Sequence, residues 1–319
     1  MIDDTILNKT NNNFARHNYF HHSNHKSKTR DYIFFDKCYL RPKVNQAWNV
    51  VRNQSETKNN IDQAWEVINR LDTKRNESLN ANMFFGRIVQ DITDLVLLHE
   101  YKLQEALDKV APKVAAYKPR SWDSKDKIKF DQYIGEYKDV ARFALEGLKQ
   151  ALHKDNRIIG ETEYLHLISN KLDLPYNTLP DYGRRGDLKT KWSSHSPSTK
   201  SGWRSPSLPY KGLTHEFELS TLYQLVGFWA CNKQQPPFVV YASKNDCIVL
   251  TEKNCEQLQT THLQNILKKI IRFHKSTETL LKTAKTTVEL LQMVSPDFDK
   301  LCWNVPPTVL EEAEKIWTI

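Results

Sequence analysis

Two aspartates and a lysine within residues 181–189 carry the clearest chemistry in this chain. Residues 180–192 read Pro-Asp-Tyr-Gly-Arg-Arg-Gly-Asp-Leu-Lys-Thr-Lys-Trp. Asp181 and Asp187 supply hard oxygen donors of the kind that hold Mg²⁺ or Mn²⁺, which take one or two carboxylates and complete their shell with water and substrate phosphate. If Asp187-Leu188-Lys189 is a strand, residues two apart share a face, so Asp187 and Lys189 point to one place. A lysine there positions an attacking water or offsets developing negative charge. Phosphodiester hydrolysis needs these things: an acidified water, a polarised phosphate and charge relief.

A tight turn through Gly183 to Gly186 would bring the two carboxylates together, and crowded like charges favour a cation that relieves their repulsion. Upstream, Glu161 and Glu163 alternate on a short β-like stretch. Either one would serve as an outer base or a third ligand, and the spacing does not choose between them. Only five residues separate Asp181 from Asp187. Were that hairpin too tight, Asp181 would be a turn residue and a glutamate would take its place.

The elements around this group fall into three stretches. Residues 1–30, rich in Asn, His, Ser and Lys, read as a mobile arm. Its histidines, His17, His21, His22 and His25, reflect composition rather than a metal site. Residues 31–155 read as a helical N-terminal part. Phe84, Phe85, Ile88, Ile92, Leu95 and Val96 recur at helical spacing, and a second apolar face runs from Asp131 to His153 through Ile134, Tyr137, Val140, Ala144 and Leu148. Residues 156–319 hold the chemistry. There, Leu219 to Ala230 is helical in pattern. Phe238 to Tyr241 and Cys247 to Leu250 are strands around a Ser243–Asp246 turn, and His262 to Val294 is helical again. Residues 193–212 read as a long loop. The expected architecture is α/β (α+β), a small mixed β-sheet flanked by helices.

The chain has 319 residues, 39% of them hydrophobic, which is enough for a sizeable core. Lys and Arg number 46 against 38 Asp and Glu, a formal charge of +8. Such an excess suits a polyanionic partner. The five scattered cysteines form no CxxC pair, which argues against zinc and for a reducing, cytoplasmic setting. Met1-Ile2-Asp3-Asp4 lacks the basic start and apolar run of a secretory signal. No apolar stretch is long enough to span a bilayer, so no membrane partner is expected.

With these residues in view, the chain resembles the PD-(D/E)XK nuclease superfamily, in particular its RecB-like and phage exonuclease branch. Asp187-Leu-Lys-Thr resembles the D-x-K-T form of that branch. Tyr223-Gln224-Leu-Val-Gly-Phe228 resembles its Q-x-x-x-Y helix, with Phe228 in place of tyrosine. Gly86-Arg-Ile-Val-Gln90 resembles the G-x-x-x-H/E/Q start of its first core helix. The resemblance covers roughly residues 80–275. The wording around Asp187 is also similar to exonucleases of marine tailed phages, which would place the chain in a bacterial host cytoplasm. The resemblance implies a restriction-endonuclease-like core, a Mg²⁺ or Mn²⁺ cofactor and a DNA substrate. It also implies that Gln224 lines the site, whereas Phe228 lacks the hydroxyl for any polar role.

A DNA-contact surface is expected around this site. Arg184 and Arg185 sit at the hairpin tip as phosphate clamps. Lys191, Trp192, Lys200, Trp203 and Arg204 follow, cations meeting phosphates and tryptophans stacking on unpaired bases. The function that unites these features is a metal-dependent DNA exonuclease serving phage recombination, replication or DNA breakdown. The alternatives are a structure-specific endonuclease of the same fold, or an inactive nuclease fold that only binds DNA. No helix-turn-helix or zinc-finger pattern supplies a sequence-reading module. Oligomeric state is not legible in these residues.

Overall fold

The computed structural model describes residues 20–21, 30–53, 55–72, 79–120, 123–152, 165–167, 171–196, 199–200, 202–208 and 217–317. Glu161, Glu163, Trp122 and most of the N-terminal arm lie outside them. Of that arm, Phe20–His21 form a short strand, β1.

The first half is helical. Helix α1 (Arg30–Phe34) runs through a π-helical segment, Phe35–Leu40, into α2 (Arg41–Arg52). Then come α3 (Lys58–Leu71), α4 (Ala81–Leu97), α5 (Leu103–Ala115), α6 (Ser124–Tyr133) and α7 (Tyr137–Leu152). Thr57 and Asn80 cap α3 and α4 by accepting the backbone N–H of Asn60 and Met83.

The long helix expected from Asp131 to His153 is broken. The chain turns at Ile134-Gly135-Glu136, and Ile134, expected on the apolar face, is exposed. At the break the Glu136 carboxylate is buried and accepts from Ser193 Oγ (2.5 Å), Gln132 Nε2 (2.7 Å) and Lys244 Nζ (2.8 Å), partners that a buried charge needs.

The second half supplies the strands. These are β2 (Leu165–Leu167), β3 (Tyr176–Thr178), β4 (Gly186–Thr190), β5 (Ser194–His195), β6 (Trp203–Arg204), β7 (Phe238–Ala242) and β8 (Cys247–Leu250). Helix α8 (Leu219–Cys231) precedes β7, and α9 (Thr260–Thr283), α10 (Thr287–Gln292) and α11 (Pro307–Trp317) close the chain. The molecule is therefore mixed α/β, mostly helix, with small sheets. The loop expected over 193–212 contains the β5–β6 ribbon, paired antiparallel.

The sheet that positions the site has strand order β4-β7-β8. β4 runs parallel to β7, with Asp187 beside Val239 and Lys189 beside Tyr241. β7 and β8 are antiparallel across the Ser243–Asp246 turn. Every residue of β7 is buried, because both faces are covered. Val239 and Tyr241 face a core shared with α8 and α9, whereas Val240 and Ala242 face α7. Gly147 makes the second contact possible: a Cβ there would lie 2.6 Å from Val240 Cγ1. Glycine thus lets α7 lie directly on the strand. Among the described residues, no helix is long and apolar enough to cross a membrane.

Candidate active site

The site begins with a turn. Arg185 N–H donates to Tyr182 O (3.0 Å), and the two residues between, Gly183 (φ 57°) and Arg184 (φ 58°), both have positive φ. Tyr182 pairs with Gly186 across this three-residue loop, and the two left-handed residues turn the chain sharply back on itself. Glycine takes such a φ freely; Arg184 does so as an exception. The turn folds Asp181-Tyr182 back along β4, with Asp181 N–H donating to Gly186 O (3.1 Å). Five intervening residues are therefore enough to bring the two carboxyls close enough for the charge of Asp187 to act on Asp181.

The strand supplies the next two groups. Asp187 is 1% exposed. Lys189 Nζ lies 2.5 Å from Asp187 Oδ2 and donates to Gln224 Oε1 (2.9 Å). Gln224 Nε2 donates to Asp187 Oδ1 (3.1 Å). A closed ring of aspartate, lysine and glutamine results, with the glutamine carried by α8, which packs on this face of the sheet. On the far side, α4 contributes Gln90, whose Nε2 is 3.5 Å from Asp181 Oδ1. Gly86, one turn earlier, meets β4 at Thr190 Oγ1, 3.4 Å from where a Cβ would sit.

Tyr182 fastens the hairpin to α4. Its hydroxyl is 2.6 Å from Thr93 Oγ1 and lies close enough to the Asp94 carboxyl to lower its pKa. Burial raises Asp94 to about 6, with Asp91 adding to the rise and Tyr182 and His99 opposing it. Asp181 is pushed further, to about 8, first by burial and then by the charge of Asp187; Lys189 opposes the rise.

This pair fits a hard divalent cation. A buried carboxylate, Asp187, and a half-buried one, Asp181, share one lysine, so one of them holds its proton into the neutral range, and a cation would take that proton's place. The remaining donors are amide oxygens, which suit Mg²⁺ or Mn²⁺ rather than zinc. Among the described residues no group of three or more His, Cys, Asp or Glu surrounds one point. A cation held by Asp181 and Asp187 would accordingly keep water and substrate oxygens in its shell.

The expected DNA contacts divide. Arg184 is exposed at the turn tip, while Arg185 folds back, its Nη1 donating to Pro236 O (3.3 Å) with the guanidinium over the Phe238 ring. Lys191 Nζ sits 5.4 Å above the Tyr241 ring, just beyond the site strand. Lys200 and Arg204 are exposed, and Trp203 meets His195 edge-on across the small ribbon. Trp192 is the correction. Its ring stacks on Tyr133 (4.9 Å) and packs against Phe85 (5.7 Å), and its Nε1 donates to Thr190 Oγ1. Those faces are taken by core aromatics, so Trp192 anchors the chain after β4 rather than offering itself to a base.

Thr93, Asp94 and Tyr182 were not singled out from the sequence, and Gln90 entered only as the last position of the Gly86–Gln90 motif. The signal for them existed: Gln90, Thr93 and Asp94 sit three and four residues apart, on one face of a helix, and Tyr182 adjoins Asp181. Comparison of the chain with known protein families, with curated proteins and with solved structures finds no match.

Proposed function

We propose that the protein is a Mg²⁺- or Mn²⁺-dependent deoxyribonuclease that hydrolyses phosphodiester bonds from DNA ends. The observation that carries this reading is the ring in which Asp187, Lys189 and Gln224 interlock beside a second, crowded carboxylate, Asp181. A restriction-endonuclease-like core is part of the same reading. The mixed order β4-β7-β8, with the acidic strand at its edge and α4 and α8 contributing one glutamine each, supports it.

Asp181 and Asp187 would hold the cation, which when bound supplies Lewis acidity toward the scissile phosphate and its water. The rest falls to the chain's own groups. Lys189, once the cation shares the charge of Asp187, is released to hydrogen-bond the attacking water or the non-bridging phosphate oxygens. Gln224 holds Lys189 and Asp187 in register through its two amide atoms. Arg184, exposed at the turn tip, is placed to meet the phosphate backbone as it approaches. Lys200, Trp203 and Arg204 on the β5–β6 ribbon offer further cationic and stacking contacts. Such an activity would serve the recombination, replication or breakdown of DNA.

The test incubates the purified chain, with Mg²⁺ or with EDTA, on end-labelled linear DNA and on covalently closed circles, beside Asp187→Ala and Lys189→Ala. The expected result is Mg²⁺-dependent loss of linear DNA alone, abolished by both substitutions. Nicking of the circles would replace the end requirement with internal cleavage. Binding without cleavage, indifferent to both substitutions, would overturn the catalytic reading.

A further inference from the structure

Helix α9 is 24 residues long and presents one sign of charge to solvent. Lys268, Lys269, Arg272, Lys275 and Lys282 are all exposed, whereas its single acidic residue, Glu278, is buried and accepts the N–H groups of Asp173 and Leu174. At 100° per residue the five cations fall within an arc of about 140°, and Lys268 to Lys282 spans about 21 Å of helix. Two of them are partly neutralised: Asp173 lies 2.6 Å from Lys282 Nζ and 3.5 Å from Lys275 Nζ. Lys268, Lys269 and Arg272 have no acidic partner within ion-pair distance among the described residues. At the edge of this face, the Arg30 guanidinium lies over the Phe273 ring and donates to Ser276 Oγ.

A run of cations held without counter-charges repels itself, and helix stability gives no reason for it, because acidic residues three or four positions away would be favourable. Charge complementarity points to a polyanion whose charges recur along a line. Duplex DNA carries one charge per about 1.7 Å of axis, so 21 Å of helix faces roughly six base pairs. α9 packs on α8 through its buried side, so the cationic face lies on the outer surface of the molecule, apart from Asp181 and Asp187.

We propose that the exposed face of α9, centred on Lys268, Lys269 and Arg272, is a docking surface for the phosphate backbone of duplex DNA outside the active site. The surface holds the flank of the substrate through charge and reads no sequence. In its choice of partner this rests on the nuclease reading, but its test does not depend on cleavage.

The experiment measures binding of the full chain to a fluorescein-labelled 30-base-pair duplex in EDTA, by anisotropy across a KCl series. The variants are Lys268→Gln/Lys269→Gln/Arg272→Gln and the charge-keeping Lys268→Arg/Lys269→Arg/Arg272→Lys. Each lost phosphate contact flattens the log–log salt slope by about 0.9, so the first variant should be shallower by about 2.7 and bind roughly 10- to 100-fold more weakly. The second should bind like the parent. All six substitutions are at exposed helical positions, and thermal unfolding confirms that each variant is folded. An unchanged slope and affinity overturn the proposal. So does loss of binding to phosphatidylserine vesicles with duplex binding intact, which would assign the face to a membrane surface. Should the parent cleave no DNA while the slope still depends on these cations, the nuclease reading falls and the surface stands. Should it cleave DNA with the slope unmoved, only the surface falls.

Discussion

Two regions of this molecule bury carboxylates, and they treat them in opposite ways. Glu312 on α11 accepts from Lys43 Nζ (2.6 Å), from Arg70 Nη2 (3.0 Å) and from the Tyr39 hydroxyl. Two cations and a phenol serve one carboxylate, and despite burial its pKa is held below the ordinary value. At the hairpin two carboxylates share one lysine, and Asp181 is raised instead. Burial is common to both and distinguishes neither. The balance of counter-charge does: Glu312 ties α11 to α2 and α3 as a neutralised strut, whereas the aspartate pair is left short of positive charge, which invites a cation.

The sharpest way to break this contrast is to remove a site group. Asp187→Ala should reduce Mg²⁺-dependent cleavage about 10³-fold or more, as loss of an electrostatic group at a reacting centre does, while thermal unfolding of the cation-free protein stays near that of the parent. A large stability loss with unchanged cleavage would make the hairpin a strut as well. The mirror experiment is Glu312→Ala. It leaves Lys43 buried without its partner and should cost about 3–5 kcal/mol of stability in denaturant unfolding, with cleavage per folded molecule unaltered.

Protons sharpen the contrast next. A divalent cation must displace the proton held by Asp181, so affinity should weaken about tenfold per pH unit below about 8 and level off above it, as read by calorimetry with Mn²⁺. Stability should respond in opposite senses in the two regions. Asp181 binds its proton more tightly folded than unfolded, so its contribution is present at acid pH and is lost as pH rises from 3.8 towards about 8. Glu312 is depressed, so its contribution is present above 4.5 and is lost as pH falls through its folded value. Asp181→Asn should flatten the first limb only.

Smaller effects follow. Gln224→Ala removes the amide that holds Lys189 and Asp187 in register, and should lower cation affinity or turnover about 10- to 100-fold. Tyr182→Phe unties the hairpin from Thr93 at a cost of about 1 kcal/mol. An activity loss confined to what that cost unfolds would give Tyr182 no share in placing Asp181.

Much of the hairpin was legible because its determinants are local. The glycines of the turn, the i, i+2 spacing of Asp187 and Lys189, and the alternation of β4 are written in consecutive residues. The helical pattern of 219–230 likewise placed Gln224 on a helix. Illegible were the features decided at a distance. Gly135 and Glu136 sit inside a good helical period, and the partners that meet Glu136 at the break, Ser193 and Lys244, arrive from elsewhere in the chain. Trp192 reads like a stacking residue until Tyr133 and Phe85 are seen to occupy its faces. Gln90 and Tyr182 meet the site because α4 packs against β4 and the hairpin before it. The roles of Glu161 and Glu163 lie outside the described residues.

The parallel pairing of β4 with β7 also bears on how the site comes into being. The turn closes over a handful of residues, a matter of microseconds, so Asp181, Asp187 and Lys189 are neighbours almost as soon as that stretch is synthesised. β7 and Gln224 lie beyond a crossover running from Lys191 to Pro237, and parallel strands joined in this way pair slowly because a long loop must close first. The acidic half of the centre is thus early and local. The half that fixes Lys189 waits for α8 to arrive, and the nascent chain carries its charges together before it holds them still.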